Sequence, residues 1–147
     1  MLKLPPKMEK ILLLVHGEGL REVDVAKKLG VSRQAISKSI RDGVGRLSQI
    51  FLEVAEILNA DIIRVNLRKG YAIFKDRQLN IKIYVFYIPE KGVRILFRDN
   101  IECNSEGLRS LCIDIVKAAK KWGIIKKDKG KSDINEVLQE IIKIIEA

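Results

Sequence analysis

The chain has no threonine, one histidine, two cysteines and three prolines. Each shortage excludes something. His16 ends the apolar stretch "LLLVHGEG" with no acid or nucleophile placed beside it in sequence. It carries no catalytic signal, and its place predicts a cation at a helix C-terminus. Cys103 and Cys112 stand nine residues apart with no histidine nearby, which does not make a zinc site. They are expected as buried free thiols, with a disulfide in a hot cytosol as the alternative. No run of eighteen apolar residues occurs, so no membrane span is expected. The opening "MLKLPPKMEK" has two prolines where a signal peptide needs its apolar stretch, so the expected location is cytoplasmic. No glycine-rich phosphate loop follows a strand pattern, and no carboxylate pair or metal triad has a recognisable spacing. Enzyme is therefore the least supported class, and no cofactor is expected.

What is present is positive charge and aliphatic bulk. Twenty-eight Lys and Arg face nineteen Asp and Glu, a net charge of +9. That balance favours an anionic partner, most simply nucleic acid. The same profile, rich in Ile and Lys and poor in Gln, also marks a thermophile's surface and core. The excess is not concentrated in the first half. Residues 1–58 carry ten basic and seven acidic side chains, and residues 59–147 carry eighteen and twelve. Much of the second excess sits in "KAAKKWGIIKKDKGK"; residues 123–132, "GIIKKDKGKS", read as a solvated loop, with a grip on DNA flanking the site as the alternative, and Trp122 as an anchor into the core.

Periodicity divides the chain near residue 58. Before it, apolar residues recur at steps of three and four; after residue 60 they alternate. "MEKILLLVHG" reads as a helix started by Pro5 and Pro6 and stopped at Gly17 or Gly19. "LREVDVAKKLG" reads as a second, with Leu20, Val23, Val25, Ala26 and Leu29 on a common face and Gly30 as its cap. Residues 61–98 read as a small antiparallel sheet of three or four strands. "NIKIYVFYI" and "VRILFRD" form a hairpin in it, with Pro89 at the second turn position and Gly92 left-handed. A helix with Leu108, Leu111, Cys112, Ile115, Val116 and Ala119 in one stripe should pack on that sheet. The last helix, "DINEVLQEIIKIIEA", is expected to start with Asp133 and Glu136 as a capping box. The expected fold is α+β: residues 1–58 form a helix-turn-helix domain with a long connecting helix, and residues 59–147 a small antiparallel sheet with two helices.

The segment that carries chemistry is "LREVDVAKKLGVSRQAISKSI". Two helices joined by a three-residue turn are a common DNA-reading unit. The second helix crosses closely over the first, which needs a small residue, here Ala26. The turn needs positive φ, here Gly30. Val25, Leu29, Val31, Ile36 and Ile40 supply the apolar crossing, and Ser32 fits the N-cap. At roughly 100° per residue, Arg33, Gln34, Ser37, Lys38 and Arg41 fall within an arc of about 140°. All can donate hydrogen bonds and none is acidic. Arg33 suits guanine and Gln34 adenine in the major groove; Ser37 and Lys38 lie one turn on, and Arg41 meets the far phosphate wall. Ser32, Lys27 and Lys28 are candidate phosphate contacts. The competing reading is a helix pair whose polar face is merely wet, or one reused as a protein adaptor.

Over residues 8–58 these motifs resemble the DNA-reading part of bacterial and archaeal regulators, close to sigma-factor region four. Among them "GLREVDVAKKLGVSRQAISKSI" most resembles the archaeal Tfx family of transcription regulators. Beyond residue 60 the resemblance is one of architecture. It implies promoter-region binding to double-stranded DNA by an N-terminal helix-turn-helix, followed by a long helix and a small C-terminal α/β domain. It names no target and no effector.

Two features test the limits of this reading. "RDGVGRL" places two glycines in the predicted helix, each weakening it by about 1 kcal/mol relative to Ala. Yet Ile36, Ile40, Gly43, Leu47, Ile50, Phe51, Val54 and Leu58 keep one phase across them. One long helix is therefore expected from Arg33 to Leu58, continuous or kinked near Gly43. A stop at Asp42 with a fresh start at Ser48 is the alternative. "LSQIFLEVAEILN" and the last helix are more apolar than one face needs, which predicts a homodimer through either or both. Tyr71, Phe74, Tyr84, Phe86, Tyr87 and Phe97 cluster on the predicted strands. They are expected as sheet core, with a small-molecule effector pocket as the alternative.

Overall fold

The computed structural model describes residues 2–97, 101–127 and 133–147. Pro6 occupies the first helical position of α1 (Pro6–Leu12), where its missing N–H is not needed. The helix then widens into a π-helical turn, Leu13–Gly17. Helix α2 (Glu22–Leu29) and helix α3 (Arg33–Ile57) follow. Four strands come next: β1 (Ala60–Asn66), β2 (Tyr71–Asp76), β3 (Lys82–Ile88) and β4 (Gly92–Leu96). They form one antiparallel sheet in the order β1-β2-β3-β4. Helices α4 (Arg109–Lys121) and α5 (Ile134–Glu146) complete an α+β fold.

Alternation along the strands gives the sheet two covered faces. On one face the Tyr87 hydroxyl donates to Glu9 of α1 at 2.7 Å. On the other, Tyr84 reaches Glu146 of α5 and Arg64 donates to the carbonyls of Ile145 and Ala147. The strand residues between are buried, including Tyr71, Phe74, Tyr84, Phe86 and Tyr87. Five of the six strand aromatics are thus core; Phe97 is exposed. Trp122 is also interior, as its size and position predicted.

The two glycines do not stop α3, which runs unbroken for 25 residues. Gly43 lies on its buried side, where a Cβ would stand 3.0 Å from Leu12 and Met8 side-chain atoms. The missing side chain lets α1 cross close. Gly45 faces the open side and meets nothing within 4 Å.

Several expectations are corrected. Cys103 and Cys112 are joined in a disulfide rather than left as free thiols. The ten residues around them include a turn that returns the chain to Cα–Cα 5.8 Å, which spacing alone does not reveal. Leu20 and Val23 do not share the buried face of α2. That helix begins only at Glu22, and both side chains point outward while Val25 and Ala26 are buried. In the β3–β4 turn Gly92 is left-handed as expected, at φ 95°, but Glu90 after Pro89 is left-handed too, at φ 73°. Asp133 is the N-cap of α5, but its side chain makes no capping bond. The apolar stripe Val137, Leu138, Ile141, Ile142 and Ile145 is buried in the chain's own core, so α5 closes the sheet rather than offering that stripe to a partner. The expected loop 123–132 lies partly outside the described residues.

Candidate nucleic-acid interface

Local chemistry explains how the first turns of α3 are presented. Gly30 ends α2 in the left-handed conformation, φ 68°, and its N–H returns to the Ala26 and Lys27 carbonyls. The Val31 N–H bonds the Ala26 carbonyl at 3.0 Å, closing the turn. The Ser32 hydroxyl then accepts the Ala35 N–H at 3.1 Å and starts α3. Ile11, Leu14, Val25, Ala26 and Ile36 form a small core beneath this corner, with Leu29, Val31 and Ile40 packed against it. Ala26 is buried in that small core.

Arg33, Gln34, Lys38 and Arg41 stand exposed on the outer side of α3, and Ser32, Lys27 and Lys28 are exposed at the turn and the end of α2. Among the described residues Arg33, Gln34 and Arg41 have no hydrogen bond or ion pair. Lys38 is 3.8 Å from Asp42, an exposed pair worth little and easily exchanged for another anion. Ser37 lies within the arc, between Arg33 and Arg41, but it is half-buried and its hydroxyl donates to the Glu22 carboxylate of α2, so it braces the two helices. Glu22 stands fifteen residues earlier, so spacing along α3 does not reveal that contact.

A continuous α3 carries the same surface beyond Arg41. At roughly 100° per residue, Gly45 falls in line with Gln34, Lys38 and Arg41, with Gln49 beside it. Gln49 is exposed. The unbroken apolar phase was the signal for this extension.

The corner is tied to the sheet on its other side. Gly17 packs against the end of α4 so closely that a Cβ there would overlap the Lys121 carbonyl. The Lys69 ammonium donates to the His16 carbonyl at 2.8 Å, and Lys127 pairs with Glu18 at 3.1 Å. His16 itself is buried, and its Nδ1 has no partner. Burial lowers its pKa, Arg68 and Lys69 add to that, and Glu22 opposes it weakly. Burial thus disfavours the charged form that was expected at this helix end. The unfolded chain takes up a proton below about pH 6.5 that the folded chain resists, so stability falls as pH drops below that value. In His16→Gln the slope of unfolding free energy between pH 6.5 and 5 should be shallower, by at most about 1.4 kcal/mol per pH unit. Equal slopes in the two proteins would mean that His16 takes up its proton as readily in the folded chain as in the unfolded one.

A cavity of about 340 Å³ lies where α1 and the π-helical turn meet the β3–β4 turn, lined by Pro6, Leu13, Leu14 and Pro89 among others. It is not formed by the strand aromatics. Among the described residues no helix is long and apolar enough to cross a membrane, and no group of three or more His, Cys, Asp or Glu gathers as a metal site. Comparison with family models, with curated proteins and with solved structures gave no match.

Proposed function

We propose that the protein is a sequence-specific double-stranded DNA-binding transcription regulator that reads the major groove with the helix beginning at Arg33, and that it acts as a homodimer. The observation that carries this reading is the presentation of Arg33, Gln34, Lys38 and Arg41. They are exposed on the first turns of a helix whose start is set by a left-handed glycine and a serine cap, beside a small core that includes Ala26. Long donors in that place fit base edges, and the exposed Ser32, Lys27 and Lys28 fit phosphates. The resemblance of residues 8–58 to Tfx regulators points the same way.

The test is binding to duplex DNA as a function of salt. Phosphate neutralisation makes log K fall linearly with log salt, by about 0.9 per neutralised phosphate. Lys38→Ala and Arg41→Ala should each flatten that slope by about one unit per protomer and weaken random and selected duplexes alike. An unchanged slope removes that side chain from the interface. Absence of salt-dependent duplex binding in the native protein would leave the helix pair as a protein adaptor.

A further inference from the structure

The two edges of the sheet are treated differently. β4 is buried or half-buried along its length, and the Leu2 carbonyl lies against Gly92 at its start. β1 is exposed from Asp61 to Val65. Exposed strand edges are usually protected by charge, because their free N–H and C=O groups can pair with another strand. Here the edge is aliphatic: Ile62, Ile63 and Val65 are 36, 52 and 44% exposed. Its two charges are already answered within the chain. Asp61 pairs with Arg77 at 2.8 Å, and Arg64 is held by the carbonyls at the end of α5. Covering this edge would strand neither charge.

The apolar surface continues onto the helices on both sides of the sheet. Leu52 of α3, 51% exposed, borders a groove of about 490 Å³ with Ala55, Glu56 and Ile62. Ile144, 42% exposed, sits at the end of α5 that Arg64 holds against β1. Leu52, Ile62, Ile63, Val65 and Ile144 together expose roughly 400 Å² of apolar area, close to the nonpolar share of the ~800 Å² each partner contributes to a standard interface.

We infer that the β1 edge, with Leu52 and Ile144 beside it, is where a second copy of this chain docks. A two-fold contact presents the same patch from both sides, so one surface of this size suffices. The bulge at Ile63, where β1 slips against β2, turns that side chain out at the middle of the patch. The functional sense of the contact rests on the DNA reading, but its geometry does not. Leu52 and Arg33 lie on one unbroken helix, about 28 Å apart at 1.5 Å per residue.

The experiment uses the full chain without DNA. Sedimentation at tens of micromolar should show a dimer for the native protein. Leu52→Lys with Ile63→Lys should sediment as a monomer with unchanged circular dichroism, its dissociation constant raised about a hundredfold or more. Amide exchange at Ile62–Val65 in the native protein should slow as concentration rises, a measurement that needs no variant. A monomeric native protein overturns the inference. So does a dimer that survives the double substitution, or edge amides whose exchange ignores concentration. Because no DNA is present, failure here leaves the DNA reading standing, and a dimer that ignores duplex DNA would sink that reading alone.

Discussion

Trp122→Ala should lower the unfolding free energy by about 3–5 kcal/mol, the range for removing a large aromatic from a closed core. Trp122 is 1% exposed and caps the C-terminus of α4. Its indole N–H donates to the Tyr87 carbonyl at 2.9 Å, and its ring meets the Tyr87 ring edge to face at 6.3 Å. The β1–β2 turn comes close enough that Gly70, at φ 67°, has no room for a Cβ beside the indole. One side chain thus joins α4, β3 and the β1–β2 turn. Alanine would leave a cavity bounded by three elements that cannot all move in. Trp122→Phe keeps much of the packing but loses the hydrogen bond, and should cost less, about 1–3 kcal/mol. Urea unfolding followed by circular dichroism measures both. A loss under about 1 kcal/mol for the alanine variant would show that this junction contributes little. Trp122 is the only tryptophan, so its fluorescence in the native protein reports the same unfolding.

The second large effect is expected at the reading end of α3. Arg33→Ala and Gln34→Ala should each weaken binding to a selected duplex by about 1–3 kcal/mol and change which bases are preferred. Neither side chain has a partner among the described residues, so neither substitution removes a contact that supports the fold. A loss of affinity would then be a loss of DNA contact rather than of structure. The discriminating comparison is with random duplex. A loss confined to the selected sequence marks a base contact, whereas equal losses on both mark a phosphate contact and move sequence reading elsewhere on α3. Ser37→Ala is a useful contrast. Its hydroxyl is engaged with Glu22, so base preference should not change.

What was legible in the sequence is what local chemistry decides. Gly30 ends α2 because left-handed backbone costs glycine little, and Ser32 starts α3 because its oxygen takes an otherwise unpaired N–H. Both effects act within four residues and need no distant partner. The continuity of α3 was legible for a related reason. A stripe that keeps phase through Gly43 must keep facing one surface, and packing there outweighs the propensity lost at two glycines. Alternation after residue 60 announced the strands in the same way.

The rest was decided by partners far away in the chain. Periodicity says that a face is apolar but not what covers it. The stripe of α5 therefore read as a surplus for a dimer seam, whereas it closes the sheet. Ser37 looked like a donor facing outward until Glu22, fifteen residues earlier, was folded beside it. His16 looked like a terminal cation until the β1–β2 turn brought Arg68 and Lys69 against it and burial removed its water. The cysteines gave a spacing but not the turn that joins them. By itself the sequence determined the α+β class, the capped corner and the long helix, because these follow from backbone conformation and short-range phase. Only the tertiary structure decided which polar groups are engaged and which apolar edge stays open, because burial and charge are set by whatever the fold packs alongside.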